Sequence, residues 1–544
     1  MKNASPAKKN KTNGYFWVFG GLLCVLLLSI MVRDIDRPFT GLHSWADAHS
    51  PWAARVHVKY GLGYTKGFST RAVGYPPTQK PFRYLDHPQL PSLINAAFMA
   101  VLGIHAWSLR AVNVAATMIT LLLFLKILRR LLDQKTAILA GLLFVLFPLI
   151  GYFGVNMWLY PMVFFTIWCY LVMIQGLKDG PQPTSLHKWG LAIGLFFSLQ
   201  MSWEGFFFAL AIGVHYVFRC IRRKQLPDKA LLAILIIAPL SSLLIDFTIM
   251  AAGHGWDYQK IIDLYKWRAG PGEMQKHDWA KWFLQIWKHA VTNFSLPVLI
   301  ISIAYLTVGQ LFVFTTDTAK KASAAVRRRF PQFWLFLMPA VFQLFLLKGC
   351  LWKHETWEKP LIPLVAISAA LGIMLTADVL NRIRPLLAKI SMAVLIGLIA
   401  VLCTTGLNHY HSIRHFSPAK VKLFTMLREK IPPEKALLSP MLPVEGLIAH
   451  QHKAKGAFYR PEVAWYLDRE IFQARTISEI QEKAKTGRFP YYLVPYYQET
   501  VPLINQLRKR YKFESLVGDP GGKGLAPMLP YLIFDLRSNA SASK

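Results

Sequence analysis

Apolar residues do not alternate along most of this chain. They come in runs separated by polar gaps. Eleven runs lie at about 15–32, 107–130, 136–153, 158–177, 189–202, 205–221, 229–252, 295–315, 332–350, 359–379 and 388–406. Most have the ~17–25 residues that cross a bilayer core as a helix. The pattern predicts an α-helical multi-pass membrane protein. The first run follows a basic head, 1–14, which carries Lys2, Lys8, Lys9 and Lys11. It lacks a small-x-small cleavage site before Arg33, so it reads as an uncleaved anchor. Residues 88–104 are apolar, but short and opened by Pro88. A crossing there would put the basic cluster at 126–135 outside, so this helix is predicted to lie along the outer interface.

From Asn408 onward the pattern changes to short helix and strand periods. Helices are predicted at 419–431, 461–472 and 499–511, and strands at 436–439, 491–494 and 531–536. The expected organisation is a cytoplasmic tail (1–14), a transmembrane domain (15–406) with outer loops 33–106 and 253–294, and an extracytoplasmic α/β domain (407–544). The Gly521-Gly522-Lys523-Gly524 run lacks phosphate-loop spacing and reads as a turn.

The charge sharpens this picture. The 544 residues hold 62 Lys and Arg against 29 Asp and Glu, a formal +33. Such a balance raises nucleic acid as a partner, but the placement argues against it. Basic residues fill every second gap: Lys126, Arg129, Arg130 and Lys135; Lys178 and Lys188; Arg219 to Lys229; Lys320 to Arg329; Arg382, Arg384 and Lys389. That alternation is the positive-inside pattern. It predicts a cytoplasmic N-terminus, a periplasmic or extracellular C-terminus, and a bacterial-type inner membrane whose anionic lipids suit the basic gaps. The partner is the bilayer, and no nucleic acid is expected. Five scattered cysteines give neither a disulfide framework nor zinc spacing, so free thiols are expected.

Most acids and histidines of chemical interest fall on the outer loops. Asp47 lies in the segment Leu42 to His49, and Asp86-His87 precedes Pro88. His354 and Glu355 share a late short loop. A transporter places its ionisable groups at the midplane of repeated, broken helices, and no internal repeat is evident. The placement fits an enzyme with a pocket opening outward. Each residue has a plainer alternative. Asp47 suits a solvated loop or a helix cap, and Asp86 and His87 suit a cap on the following helix. Glu204 falls near membrane depth, where a carboxylate is costly unless partnered. It is either functional or a junction residue reaching interfacial water. With Asp246 it motivates the alternative of a transporter or lipid flippase. His277-Asp278 is weak as a metal pair, and the Trp residues of 253–294 suit an interfacial belt.

The motifs in order resemble the GT-C superfamily of integral membrane glycosyltransferases, in particular the protein O-mannosyltransferases and aminoarabinose transferases. The resemblance rests on Trp45-Ala46-Asp47-Ala48 with Ala53-Ala54-Arg55; on Asp86-His87-Pro88-Gln89-Leu90; on Leu109-Arg110; and on His354 with Lys359-Pro360-Leu361-Ile362-Pro363-Leu364. It covers most of 15–406. It implies a polyprenyl-phosphate-linked sugar as donor and a lipid, glycan or protein as acceptor. Asp47 would be the general base. Asp86, His87, Lys266, Arg268 and His277 would sit at the donor phosphate, because cations stabilise the departing anion. Arg55, Glu204 and His354 are further pocket candidates. The chain departs from the family at Ala48, where relatives often carry Glu, and at Tyr160-Pro161, where many carry an acid. The second departure leaves the need for a divalent metal open.

Overall fold

The structure is a computed structural model that describes residues 6–33, 35–77, 81–85, 87–155, 161–176, 184–269, 279–309, 333–440, 460–496, 498–516 and 531–538. Contacts divide the chain into two units. One holds Met1–Ile35, Leu85–Pro91 and Arg110–His411; the other holds Asp36–Tyr84, Ser92–Leu109 and Ser412–Lys544.

The first unit is helical: α1 (Pro6–Val32), most of α4 (Ala106–Leu131), α5 (Gln134–Leu146), α6 (Pro148–Phe153), α7 (Pro161–Gly176), α8 (Ser185–Met201), α9 (Glu204–Arg223), α10 (Lys229–Gly253), α11 (Tyr258–Ala269), α12 (Trp279–Phe294), α13 (Leu296–Ala304), α14 (Trp334–Leu346), α15 (Lys348–Lys353), α16 (Leu361–Ile383) and α17 (Pro385–Ser412), whose last residue falls in the second unit. Among the described residues, six helices are long and apolar enough to cross a membrane: α1 from Gly14, α4, α9, α10, α16 and α17. The chain is an integral membrane protein. Several predicted spans are not single rods; the run at 332–350, for one, divides at Leu347 into α14 and α15. The run at 136–153 breaks at Phe147, because Pro148 has no N–H and pushes its predecessor out of the helical region. The run from 295 begins as α13, bent 107° from α12, with Ser295 in left-handed backbone (φ 68°). Segment 253–294, expected as an outer loop, therefore contains two helices, α11 and α12, that hydropathy alone did not separate.

Small residues let these helices close on one another, as packing within lipid requires. A Cβ on Gly141 of α5 would stand 2.6 Å from Leu125 of α4 and 3.0 Å from Leu23 of α1. One on Gly194 of α8 would stand 2.5 Å from the Thr166 hydroxyl of α7.

The second unit contains α2 (Ser44–Thr65), the hairpin β1 (Thr70–Arg71) and β2 (Phe82–Arg83), most of α3 (Leu90–Leu102), and the C-terminal elements α18 (Pro418–Lys430), β3 (Leu437–Ser439), α19 (Pro461–Leu467), β4 (Ile471–Gln473), α20 (Ile477–Lys485), β5 (Tyr491–Pro495), α21 (Val501–Arg508), β6 (Lys512–Leu516) and β7 (Tyr531–Asp535). The five C-terminal strands form one sheet in the order β4-β3-β5-β7-β6, with β3 parallel to both neighbours and β7 antiparallel to both of its own. Successive residues point to opposite faces, and both faces are covered. Leu437, Leu493 and Ile533 share a core with Leu427 of α18, Val463 and Trp465 of α19, and Ala48, Trp52 and Val56 of α2. Leu438, Tyr492, Val494 and Phe534 pack with Ile480 of α20 and Ile504 and Leu507 of α21. Segment 33–88, expected as a loop, thus supplies a helix to a three-layer α/β fold. The Gly521–Gly524 run lies outside the described residues.

Candidate active site

Asp47 is the fourth residue of α2 and is buried, at 6% exposure. Placement in the first turn suits a carboxylate, because unpaired backbone N–H groups and the helix dipole favour negative charge there. The turn is held from both sides. His43 precedes α2 in left-handed backbone (φ 54°), a conformation that costs a non-glycine residue energy. Its amide donates to His415 Nδ1 at 3.0 Å. Ser44 donates from its hydroxyl to Glu462 Oε1 at 2.6 Å, and Arg460 pairs with the same oxygen at 3.0 Å. Two turns on, Arg55 donates from Nη1 to the Trp465 carbonyl (2.7 Å) and from Nη2 to the Ala464 carbonyl (2.6 Å), and Asp468 lies 3.6 Å away. Arg55, a pocket candidate from the sequence, takes up carbonyls that end α19 and locks α2 to it. His57 is buried between the Thr65 and Ser92 hydroxyls, and burial pulls its imidazole down to about 4.

The first unit carries a second polar cluster, with all its members inside that unit. Glu204 opens α9. Its carboxylate accepts from the Ser202 hydroxyl and lies 3.4 Å from Lys359 Nζ, both ion-pair side chains being nearly buried. A partnered carboxylate at that depth is what burial demands. The adjacent Glu358 is fully buried, on a 3-10 turn spanning Glu355–Glu358. Asn293 of α12 donates to Glu358 Oε2 at 2.8 Å and to the Glu355 carbonyl at 3.1 Å, while Tyr410 of α17 donates to Asn293 Oδ1 at 2.6 Å. Burial, reinforced by the charge of Glu355 and opposed by the Asn293 bond, raises the Glu358 carboxyl well above the usual range and favours the neutral acid. His289 Nε2 lies 3.7 Å from Glu355 Oε1 and 2.7 Å from Gln285 Nε2. His354, half-buried, precedes the 3-10 turn.

Of the other predicted residues, His87 is half-buried, and its carbonyl accepts from the Gln89 side chain at 2.6 Å. Lys266 is exposed on α11. Arg268 is on the same helix, with its side chain undescribed, and Asp86 and His277 lie outside the described residues. Asp246 is buried on α10. The sequence reading missed Glu358, Asn293 and Tyr410. An acid and an amide in short aromatic-rich segments carry no periodic signal; only burial marks them. Among the described residues, no three His, Cys, Asp or Glu side chains gather as metal ligands.

The family described as dolichyl-phosphate-mannose-protein mannosyltransferase matches residues 86–246. The match begins beyond Asp47 and takes in the segment from Asp86-His87 to Asp246. No curated protein matches the chain in sequence. Solved structures match in fold. ArnT from Cupriavidus metallidurans, solved bound to undecaprenyl phosphate, is 11% identical over 96% of this chain and 98% of its own, with a TM-score of 0.58. The archaeal oligosaccharyltransferase AglB from Archaeoglobus fulgidus, solved with an inhibitory peptide and a dolichol-phosphate, is 12% identical over 95% of this chain and 74% of its own, with a TM-score of 0.54. The family match spans under a third of the chain, and the solved structures share the fold of the whole of it.

Proposed function

We propose that this chain is a membrane glycosyltransferase of the GT-C superfamily that moves a sugar from a polyprenyl-phosphate-linked donor to an extracytoplasmic lipid, glycan or protein acceptor, with Asp47 as general base. The similar structures of ArnT and AglB hold polyprenyl phosphates, which supports a donor of that class. The observation that carries the role of Asp47 is its burial in the first turn of α2, on a backbone pinned by His415 and Glu462. The carboxylate takes the proton of an acceptor nucleophile as that atom attacks the anomeric carbon. The bond to the phosphate oxygen breaks with inversion, and polyprenyl phosphate leaves with its electron pair. By resemblance to the family, Asp86, His87, Lys266, Arg268 and His277 are the residues proposed to serve the donor phosphate. The setting is a bacterial-type inner membrane, with the N-terminus cytoplasmic and the C-terminus outside, as the basic gaps argue.

The test compares envelope glycolipids and glycans by mass spectrometry in cells lacking the protein, complemented with the wild type or with Asp47→Asn. One sugar is restored by the wild type and not by the variant, at equal membrane levels. A positioned base contributes roughly 10²–10⁴-fold, so the variant falls by that order. Full restoration by Asp47→Asn refutes the role of Asp47; no missing sugar in the deletion refutes the transfer reading.

A further inference from the structure

A cavity of about 340 Å³ lies within the first unit, lined by Trp17, Lys126, Arg129, Arg130 and Trp168. It shares no residue with either polar cluster described above. Three helices make it. Trp17 is on α1 near the start of its apolar stretch, the three cations are on the last turns of α4, and Trp168 is on α7. α1 and α4 are in contact beside it, where a Cβ on Gly20 would meet Leu125 at 3.4 Å.

The cations are held by rings. Lys126 Nζ lies 5.0 Å from the Trp168 ring centre, and the Arg129 guanidinium lies 5.2 Å from that of Phe16 and 5.7 Å from that of Trp17. Cation–π contact keeps a charged head in place without neutralising it. The described lining is therefore three basic side chains and two indoles. The volume falls in the ~300–1,000 Å³ range of small-ligand pockets. A guanidinium fork fits the paired oxygens of a phosphate, and a lysine adds a point charge.

We propose that this cavity binds the phosphodiester headgroup of an anionic phospholipid, in the leaflet on the side of the basic gaps. A lipid is favoured over a soluble phosphate by what surrounds the cavity. Val18, Phe19 and Leu22 of α1 and Ile119 and Leu122 of α4 are exposed on the same membrane-crossing helices. Acyl chains of a bound lipid would cover them while its headgroup enters the cage. Basic pockets between transmembrane helices on the cytoplasmic side suit such headgroups. The site is independent of the proposed transfer chemistry.

The test is native mass spectrometry of the full chain, released from nanodiscs of phosphatidylcholine with increasing phosphatidylglycerol. The wild type retains phosphatidylglycerol over phosphatidylcholine by at least tenfold, and millimolar inorganic phosphate does not displace it. Lys126→Gln with Arg129→Gln removes two of the three charges and lowers retention by roughly 30-fold. The charge-preserving pair Lys126→Arg with Arg129→Lys keeps most of it. Equal retention of the two lipids by the wild type overturns the proposal without recourse to any variant. So does unchanged phosphatidylglycerol retention in a folded Gln pair. Displacement by inorganic phosphate, which then stays bound without lipid, assigns the cage to a soluble anion and also overturns it.

Discussion

Asn293 is the node through which α12, the 3-10 turn and α17 are joined, and Asn293→Ala measures that node. The substitution deletes three hydrogen bonds at once: to Glu358 Oε2, to the Glu355 carbonyl and from the Tyr410 hydroxyl. Glu358 and Tyr410 are almost fully excluded from solvent, at 0% and 2% exposure, so water does not replace the lost partner cheaply. Each buried polar group left unsatisfied costs about 1–3 kcal/mol. With two such groups and a small cavity, the loss is on the order of 3–5 kcal/mol. Tyr410→Phe removes one donor and leaves one amide oxygen unpaired, for about 1–3 kcal/mol. The informative quantity is the cycle. Because the Tyr410 bond is already gone in Asn293→Ala, the double variant falls short of the sum by about 1–2 kcal/mol. Unfolding of the four proteins in one detergent, followed by the exposure of buried tryptophan, supplies the comparison. Strict additivity refutes the network, and so does an Asn293→Ala variant as stable as the wild type. Glu358→Gln is the companion measurement. If the acid is held neutral, an amide of the same shape replaces it at a cost below about 1 kcal/mol, whereas a large loss shows that the carboxylate form is the one the site holds.

The Glu204–Lys359 pair supplies a second test. Lys359→Met strands a buried carboxylate and costs about 3 kcal/mol, while Lys359→Met with Glu204→Gln recovers most of it, because removing both charges also removes their desolvation; equal stability of the single and double variants in detergent unfolding refutes this. The His57 pull to about 4 has a definite sign. The unfolded chain takes up a proton near pH 6.5 that the folded chain refuses, so stability is full above pH ~6.5 and declines as the pH falls to ~4, by on the order of 2 kcal/mol. The midpoint of thermal unfolding of wild type and His57→Gln between pH 4 and 7.5 checks it; identical pH dependence in the two proteins counts against a neutral buried His57.

How much of this was legible beforehand follows from which forces leave a periodic trace. Crossing a bilayer demands length and apolarity, so α4, α10, α16 and α17 lie where the runs at 107–130, 229–252, 359–379 and 388–406 placed them, within a few residues at most ends. The short strands β3, β5 and β7 and the helix α18 were visible for the same reason: each alternates or turns with its own period. What the sequence hid is decided between segments. α2 reads as polar because it carries Ser44, Asp47, His49, Arg55, His57 and Lys59, yet Ala48, Trp52 and Val56 face a core more than 400 residues away in part, against Val463 and Trp465. A helix whose apolar stripe is this narrow cannot be told from a loop until its partner is known. β4, β6 and α20 were missed because they are short and their burial depends on the sheet they join. The same distinction sorts the site residues. Asp47 was singled out by motif order and Glu204 by the cost of a carboxylate in lipid, and both are buried. Arg55 was read as a pocket residue because a motif says nothing of partners; its guanidinium is bound to two carbonyls about 410 positions on. Glu358, Asn293 and Tyr410 belong to no period and no quoted motif. A buried acid is recognised only when three segments distant in the chain close around it, and that closure is the physical content a sequence pattern lacks.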